Sequence, residues 1–157
     1  MVVMRYIAAV NSSSLQDDEN HHQTDILCAV ALSSRLGSLL LRVKYAQDTN
    51  SLSELLRTWR EMVSKRANRE GWGKHARRVA FISLGHWYDA ACSRCGGTGH
   101  PVIEGTPALH AEQCPNCKGT GRRNLTCDTE IRDRVLNSSQ ALANMTSEAI
   151  AQALRRM

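Results

Sequence analysis

Cys92-Ser93-Arg94-Cys95-Gly96-Gly97-Thr98-Gly99 and Cys114-Pro115-Asn116-Cys117-Lys118-Gly119-Thr120-Gly121 are two copies of one pattern, with 18 residues between Cys95 and Cys114. Two close thiolate pairs make a soft tetrahedral cage, and Zn2+ is the usual occupant of such a cage. The two-residue gap lets the backbone curl until both sulfurs face one ion. The glycines behind each pair supply the positive-φ positions that so tight a turn requires. Because the Gly-Thr-Gly tail repeats together with the cysteines, the match is not a chance of composition.

Two other chemistries of paired cysteines fit less well. A disulfide framework belongs to small secreted chains, and Met1 to Val10 is too short and too interrupted for a signal peptide. A redox dithiol stands beside a strand-helix-strand pattern, which neither pair has. The expectation is therefore one Zn2+ held by Cys92, Cys95, Cys114 and Cys117 in a reducing compartment. Four sulfurs close the coordination sphere and leave no position for an activated water, so the ion is structural. Cys28, within Ile26-Leu27-Cys28-Ala29-Val30, reads as a small buried hydrophobe, and Cys127 as a bystander. His100 and His110 read as exposed loop residues.

Outward from the cysteines, the chain reads as helical. The length of 157 residues suits one domain, or a small helical body with a zinc module inserted. Aromatic residues make up only 4%, so the core must be mostly aliphatic, with three tryptophans. No apolar run approaches bilayer-spanning length. Residues 11–24 are polar and aperiodic, and with Met1 to Val10 they form an N-terminal segment, 1–24, expected to be partly flexible. Residues 25–91 form a basic helical region. Its first helix is capped by Thr24 or Asp25, and Ile26, Ala29, Val30, Leu36, Leu39, Leu40 and Val43 recur along it at three- and four-residue steps.

A capping box, Ser51-Leu52-Ser53-Glu54, opens the second helix, with Leu52, Leu55, Leu56, Trp59, Met62 and Val63 on one face. Gly71-Trp72-Gly73 ends it. The third runs from about Lys74 to Ala90, with Ala76, Val79, Ala80, Ser83, Leu84 and Trp87 inward, and feeds straight into Cys92. In the zinc-binding module, 92–123, Pro101, Gly105 and Pro107 exclude a helix, and Val102-Ile103 with Leu109 to Glu112 suit a short hairpin. Arg94, Lys118, Arg122 and Arg123 surround the ligands, either to balance the formal −2 of the ion with its four thiolates or to reach phosphate. Residues 124–157 read as a helical pair, Asp128 to Leu136 and then a helix capped at Thr146-Ser147-Glu148, interrupted at Asn137-Ser138-Ser139. That outline fits a helix-turn-helix and equally a plain packed pair. The expected fold class is mainly α, a small helical body carrying an inserted four-cysteine zinc-binding loop or hairpin.

The net charge of +5 is unevenly placed. Residues 1–34 carry −3, residues 35–78 carry +7, residues 79–127 carry +1, and residues 128–157 are neutral. Such a local excess attracts phosphate without any sequence preference, although a solvated helix face has the same composition. The candidate phosphate contacts are Arg57, Arg60, Lys65, Arg66, Arg69, Lys74, Arg77 and Arg78. No His-x-x-x-His, Gly-x-Ser-x-Gly or phosphate-binding loop is present, and no catalytic activity is expected.

A helix from Phe81 to Tyr88 running into Cys92-Ser93-Arg94-Cys95-Gly96-Gly97-Thr98-Gly99, then a long loop and the second copy through Arg123, resembles the lambda-type Q late-gene antitermination proteins of lambdoid bacteriophages. The resemblance covers residues 79–123, and the chain differs from that family in a shorter N-terminal region and tail. It implies Cys92, Cys95, Cys114 and Cys117 as zinc ligands and double-stranded DNA at a late promoter as a partner. It also implies bacterial RNA polymerase holoenzyme with a host elongation factor as further partners, and the cytoplasm of the bacterial host as the location. The implied function is transcription antitermination, in which the polymerase is altered to read through pauses and terminators. The repeat is also shared with the cysteine-rich modules of DnaJ chaperones, which carry four copies beside a His-Pro-Asp motif. Here there are two copies and no such tripeptide, so a DnaJ-like protein-binding module is the alternative.

Overall fold

The computed structural model describes residues 34–155. The expected N-terminal segment 1–24, the first-helix positions 25–33 and Cys28 lie outside the described residues. Among the described residues, four α-helices make the body: α1 (Arg35–Tyr45), α2 (Leu52–Glu70), α3 (Ala76–Tyr88) and α4 (Thr129–Arg155). The cysteine module lies between α3 and α4. Among the described residues there are no strands, only isolated bridges, so the fold is mainly helical as the periodicity requires.

Helix α3 is the hub, packed against α4 on one side and α2 on another, with α1 closing the bundle against both of those neighbours. Its inward positions are those the spacing gives: Ala76, Val79, Ala80, Ser83, Leu84 and Trp87 are all buried. Leu40, Leu55, Val79, Ile131, Val135 and Leu142 are the largest apolar side chains fully enclosed. Each would cost about 1–5 kcal/mol to truncate. The tryptophans pay no polar penalty, because each indole N–H has an acceptor: Trp59 on Ser83 Oγ (3.0 Å), Trp87 on Thr146 Oγ1 (3.2 Å) and Trp72 on Glu70 (2.7 Å).

Several helix ends differ from the sequence pattern. The first helix does not run continuously into Val43. Ser34 has non-helical dihedrals and accepts from the Gly37 N–H at 3.1 Å, so α1 starts at Arg35. The capping box of α2 does not form. Asp48 instead caps the short 3-10 turn Thr49–Ser51 that leads into α2, accepting from the N–H groups of Asn50 and Ser51 and from the Ser51 hydroxyl. Glu54 is drawn to Arg35. Leu52 and Met62, expected on the inner stripe, sit at its exposed edges, and Ala67 completes the buried line. Gly71 ends α2 in the left-handed conformation, φ 77°. Helix α3 ends at Tyr88, so Asp89, Ala90 and Ala91 separate it from Cys92.

The largest difference is at the C-terminus. The expected helical pair over 124–157 is a single helix of 27 residues, about 40 Å long at 1.5 Å per residue. Ser138, Ser139 and Thr146, which resembled break and cap residues, are buried inside the bundle. Their hydroxyls have helix-compatible partners: Ser139 Oγ meets His86 Nδ1 at 3.0 Å, and Thr146 Oγ1 donates to the Leu142 carbonyl at 2.7 Å. Tertiary partners thus outcompete the local cap. With the turn gone, no helix-turn-helix is formed by these residues.

Candidate metal centre and basic cleft

The four sulfurs of Cys92, Cys95, Cys114 and Cys117 lie within 4.8 Å of one another, and all four residues are buried. The cysteines are free thiols, with Cys95 Sγ 3.7 Å from Cys117 Sγ. They form a cluster of their own, separate from the helical core. Val102, Ile103 and Leu109 of the same module are exposed. With no apolar interior, this segment has little to offset its ordering entropy except whatever the sulfurs bind. The donor set is therefore one that could hold a metal ion.

The two repeats fold alike. Gly96 N–H donates to the Cys92 carbonyl (2.8 Å) and Lys118 N–H to that of Cys114 (2.7 Å). Gly99 N–H donates to Cys95 Sγ (3.3 Å) and Gly121 N–H to Cys117 Sγ (3.2 Å). The threonine hydroxyls of Thr98 and Thr120 donate to the carbonyls of Cys95 and Cys117, each at 2.8 Å. The repeats then grip each other reciprocally: Cys92 N–H donates to Gly121 O (2.9 Å), and Cys114 N–H to Gly99 O (2.8 Å).

That grip explains the last glycine of each copy better than turn geometry alone does. A Cβ at Gly121 would stand 2.2 Å from Gly97 O, and one at Gly99 would stand 2.4 Å from Gly119 O. Both glycines have positive φ, but they are also where one backbone crosses the other. Lys118 carries φ 51° at the place where the first copy has Gly96, a strained conformation for a residue with a side chain.

Electrostatics differ among the ligands. The Cys95 N–H, then the Asn116 amide donating to Cys92 Sγ at 3.3 Å, lower the Cys92 pKa to about 6. Burial pushes Cys95 up, but the N–H groups of Gly99 and Gly97 outweigh it and leave the value lowered. Burial raises Cys117, with the Gly121 N–H opposing only in part. Asn116 was not apparent as a sulfur partner from the sequence; its place between two cysteines was the one available signal.

Neither inter-knuckle histidine joins the cluster, and His100 Nδ1 meets the Glu112 carbonyl at 3.0 Å. Cys127 packs against the helical core. The expected hairpin is reduced to a Val102–Leu109 bridge, supported by Ile103 N–H to Ala108 O at 2.9 Å. A second bridge, Ala91–Arg122, ties the module's two ends together. Of the surrounding bases, Arg123 pairs with Asp89.

Comparison with family models, curated proteins and solved structures gives no match for this chain.

All eight candidate phosphate contacts are exposed, but they do not share one face. Arg57 and Arg66 are about 180° apart around α2 at 100° per residue. The structure brings Arg60 of α2 together with Lys74, Arg77 and Arg78 around a cleft of about 570 Å³, floored by Leu56 and Phe81. Phe81 is 67% exposed there. Arg57, Lys65, Arg66 and Arg69 lie outside it. Arg57, Arg66, Lys74 and Arg78 each pair with a carboxylate of the chain, whereas Arg60, Lys65, Arg69 and Arg77 have no ion pair among the described residues. The existing pairs are solvent-exposed and therefore weak, so a phosphate strand could displace them at little cost. No described helix is long and apolar enough to cross a membrane.

Proposed function

We propose that this chain is a zinc-clamped, DNA-binding transcription antitermination factor of a bacteriophage. It binds late-promoter DNA and modifies the host RNA polymerase so that pauses and terminators are read through. The observation that carries the DNA contact is the convergence of Arg60, Lys74, Arg77 and Arg78 on one cleft. Residues distant in sequence contribute to a single cationic surface, which a merely solvated helix face does not require. The resemblance of residues 79–123 to the lambda-type Q proteins supplies the rest of the reading.

Zinc is the ion assigned to the cysteine site. Sulfurs 2.3 Å from a central ion lie about 3.8 Å apart in a tetrahedron, close to the 3.7 Å between Cys95 and Cys117. The ion would supply cross-linking of two chain segments, with no open position for a reacting water. Cys92 and Cys95 follow α3 by a few residues, so the clamp fixes the module relative to the hub of the bundle.

Transcription through a terminator downstream of candidate late promoters, with bacterial holoenzyme and with or without the protein, is the direct test. Raised readthrough is expected at one of them. Unchanged readthrough across a panel of such promoters would contradict the reading. Replacing Arg60 and Arg77 by Gln should weaken DNA binding and flatten its salt dependence by about one unit of log–log slope per lost phosphate contact. The alternative, a DnaJ-like module for protein binding, draws on the exposed Val102, Ile103 and Leu109. It predicts suppression of client aggregation that the arginine replacements leave intact.

A further inference from the structure

The joint between the cysteine module and the helices holds a second cleft, of about 470 Å³, within the usual range of small-ligand sites. Lys44 reaches it from α1, His86 and Trp87 from α3, Arg122 from the module, and Asn137 and Gln140 from α4. Every ionisable side chain on its wall is a base. No carboxylate lines it.

Lys44 is the informative residue. It is half-buried, its ammonium 4.6 Å from the centre of the Trp87 ring and 2.9 Å from the Trp87 carbonyl. Arg35 and Arg42 on the same helix pair with Glu54 and Asp48, but Lys44 has no ion pair among the described residues. Burial lowers its pKa, and no neighbouring acid opposes that shift. One carbonyl satisfies one of its three N–H donors. A purely structural lysine covering Trp87 would explain the ring contact. It would not explain a wall without any acid, or the arrival of further donors from two other elements.

Arg122 is held there by backbone. The Cys92 N–H to Gly121 O bond and the Arg123 N–H to Ala90 O bond (2.8 Å) flank it on either side. Its neighbour Arg123 is paired with Asp89, but Arg122 is in no ion pair among the described residues. His86 Nδ1 is engaged by Ser139, and its Nε2 has no partner among the described residues.

We propose that this cleft binds a terminal phosphate group between Lys44 and Arg122, with His86 and the Asn137 side-chain amide at its margin, Gln140 already donating one of its two amide N–H groups to Asn144 Oδ1 at 3.0 Å. A phosphate monoester offers the double charge and several acceptors that such a donor set matches. A free nucleotide and the phosphorylated end of a nucleic-acid strand present the same chemistry. The site is separate from the Phe81 cleft, since Phe81 and His86 project about 140° apart around α3. It does not depend on the antitermination reading. Because Arg122 belongs to the cysteine module, phosphate and metal should favour each other's binding.

The test uses the metal-loaded full chain, following the Trp87 indole N–H by nuclear magnetic resonance. The probes are inorganic phosphate, a nucleoside 5′-monophosphate, the bare nucleoside, and a short oligonucleotide with and without a 5′-phosphate. A saturable shift with inorganic phosphate below about 10 mM is expected, and none with the bare nucleoside. Lys44→Gln and Arg122→Gln should each weaken it at least about tenfold, with Lys44→Arg retaining binding. Tighter binding of the monophosphate identifies a nucleotide as the source, and dependence on the oligonucleotide's 5′-phosphate identifies a strand end. Arg122 is exposed, so Arg122→Gln should fold even if Lys44→Gln does not. No saturable shift with any phosphate probe, or a shift unaltered by Arg122→Gln, overturns the proposal.

Discussion

Replacing Gly121 by Ala tests the interlocked backbones directly. The new Cβ would lie 2.2 Å from Gly97 O and 2.9 Å from Gly97 C. Carbon and oxygen rarely approach closer than about 3.3 Å, so the two repeats must part by roughly 1 Å. Holding Ala at φ 69° costs about 1 kcal/mol. Straining the Cys92 N–H to Gly121 O bond costs about 1 kcal/mol more, and displacing the facing sulfurs adds a similar amount. The total of about 3 kcal/mol corresponds to a loss of roughly a hundredfold in metal affinity. Gly96→Ala is the control: φ is 61°, but nothing lies within 4 Å of the added carbon. It should lose only about fivefold, for the backbone term alone. Lys118→Gly, which relieves φ 51°, should tighten binding by up to about the same factor. Chelator competition on the three variants and the parent measures all of this. Equal losses for Gly121→Ala and Gly96→Ala would refute the crowding argument and leave only turn geometry.

Asn137→Pro should destabilise the protein by about 3 kcal/mol in denaturant unfolding, since it removes a mid-helix N–H of α4, while Asn137→Ala should be nearly neutral. A tolerated proline would restore the interrupted helical pair. Chelating the metal should leave the helices in place but let Cys92, Cys95, Cys114 and Cys117 all react quickly and alike with an alkylating agent, read by peptide mapping, because the module has only the cysteine cluster for an interior. Slow and selective alkylation in metal-free protein would show that the module stays ordered without the ion.

The clustering of the four cysteines and the inward faces of the helices could be read in advance because both are local patterns. Cys-x-x-Cys spacing fixes which sulfurs can meet, and the three- and four-residue steps of Val79, Ala80, Ser83 and Leu84 fix a helix face whatever packs on it. Features that depend on a distant partner were hidden. Ser51-Leu52-Ser53-Glu54 has the composition of a capping box, but Asp48 accepts from the Ser51 N–H that the Glu54 carboxylate would have taken, and Arg35 claims Glu54. Asn137-Ser138-Ser139 has the composition of a break, yet Ser139 is engaged by His86 from α3. Gly99 and Gly121 were recognisable as turn residues, but not as crossing points, because the atom each would strike belongs to the other repeat. Charge summed along the chain located the basic third, while only packing of α2 beside α3 separates Arg60, Lys74, Arg77 and Arg78 from their neighbours.

X-ray absorption at the zinc edge of the purified, metal-loaded protein measures the nature of the clamp most directly. One ion per chain with four sulfur neighbours at about 2.3 Å is the expected result. A shell containing nitrogen or oxygen, or cysteines recovered as disulfides with no ion bound, would contradict a helical body pinned by four thiolates.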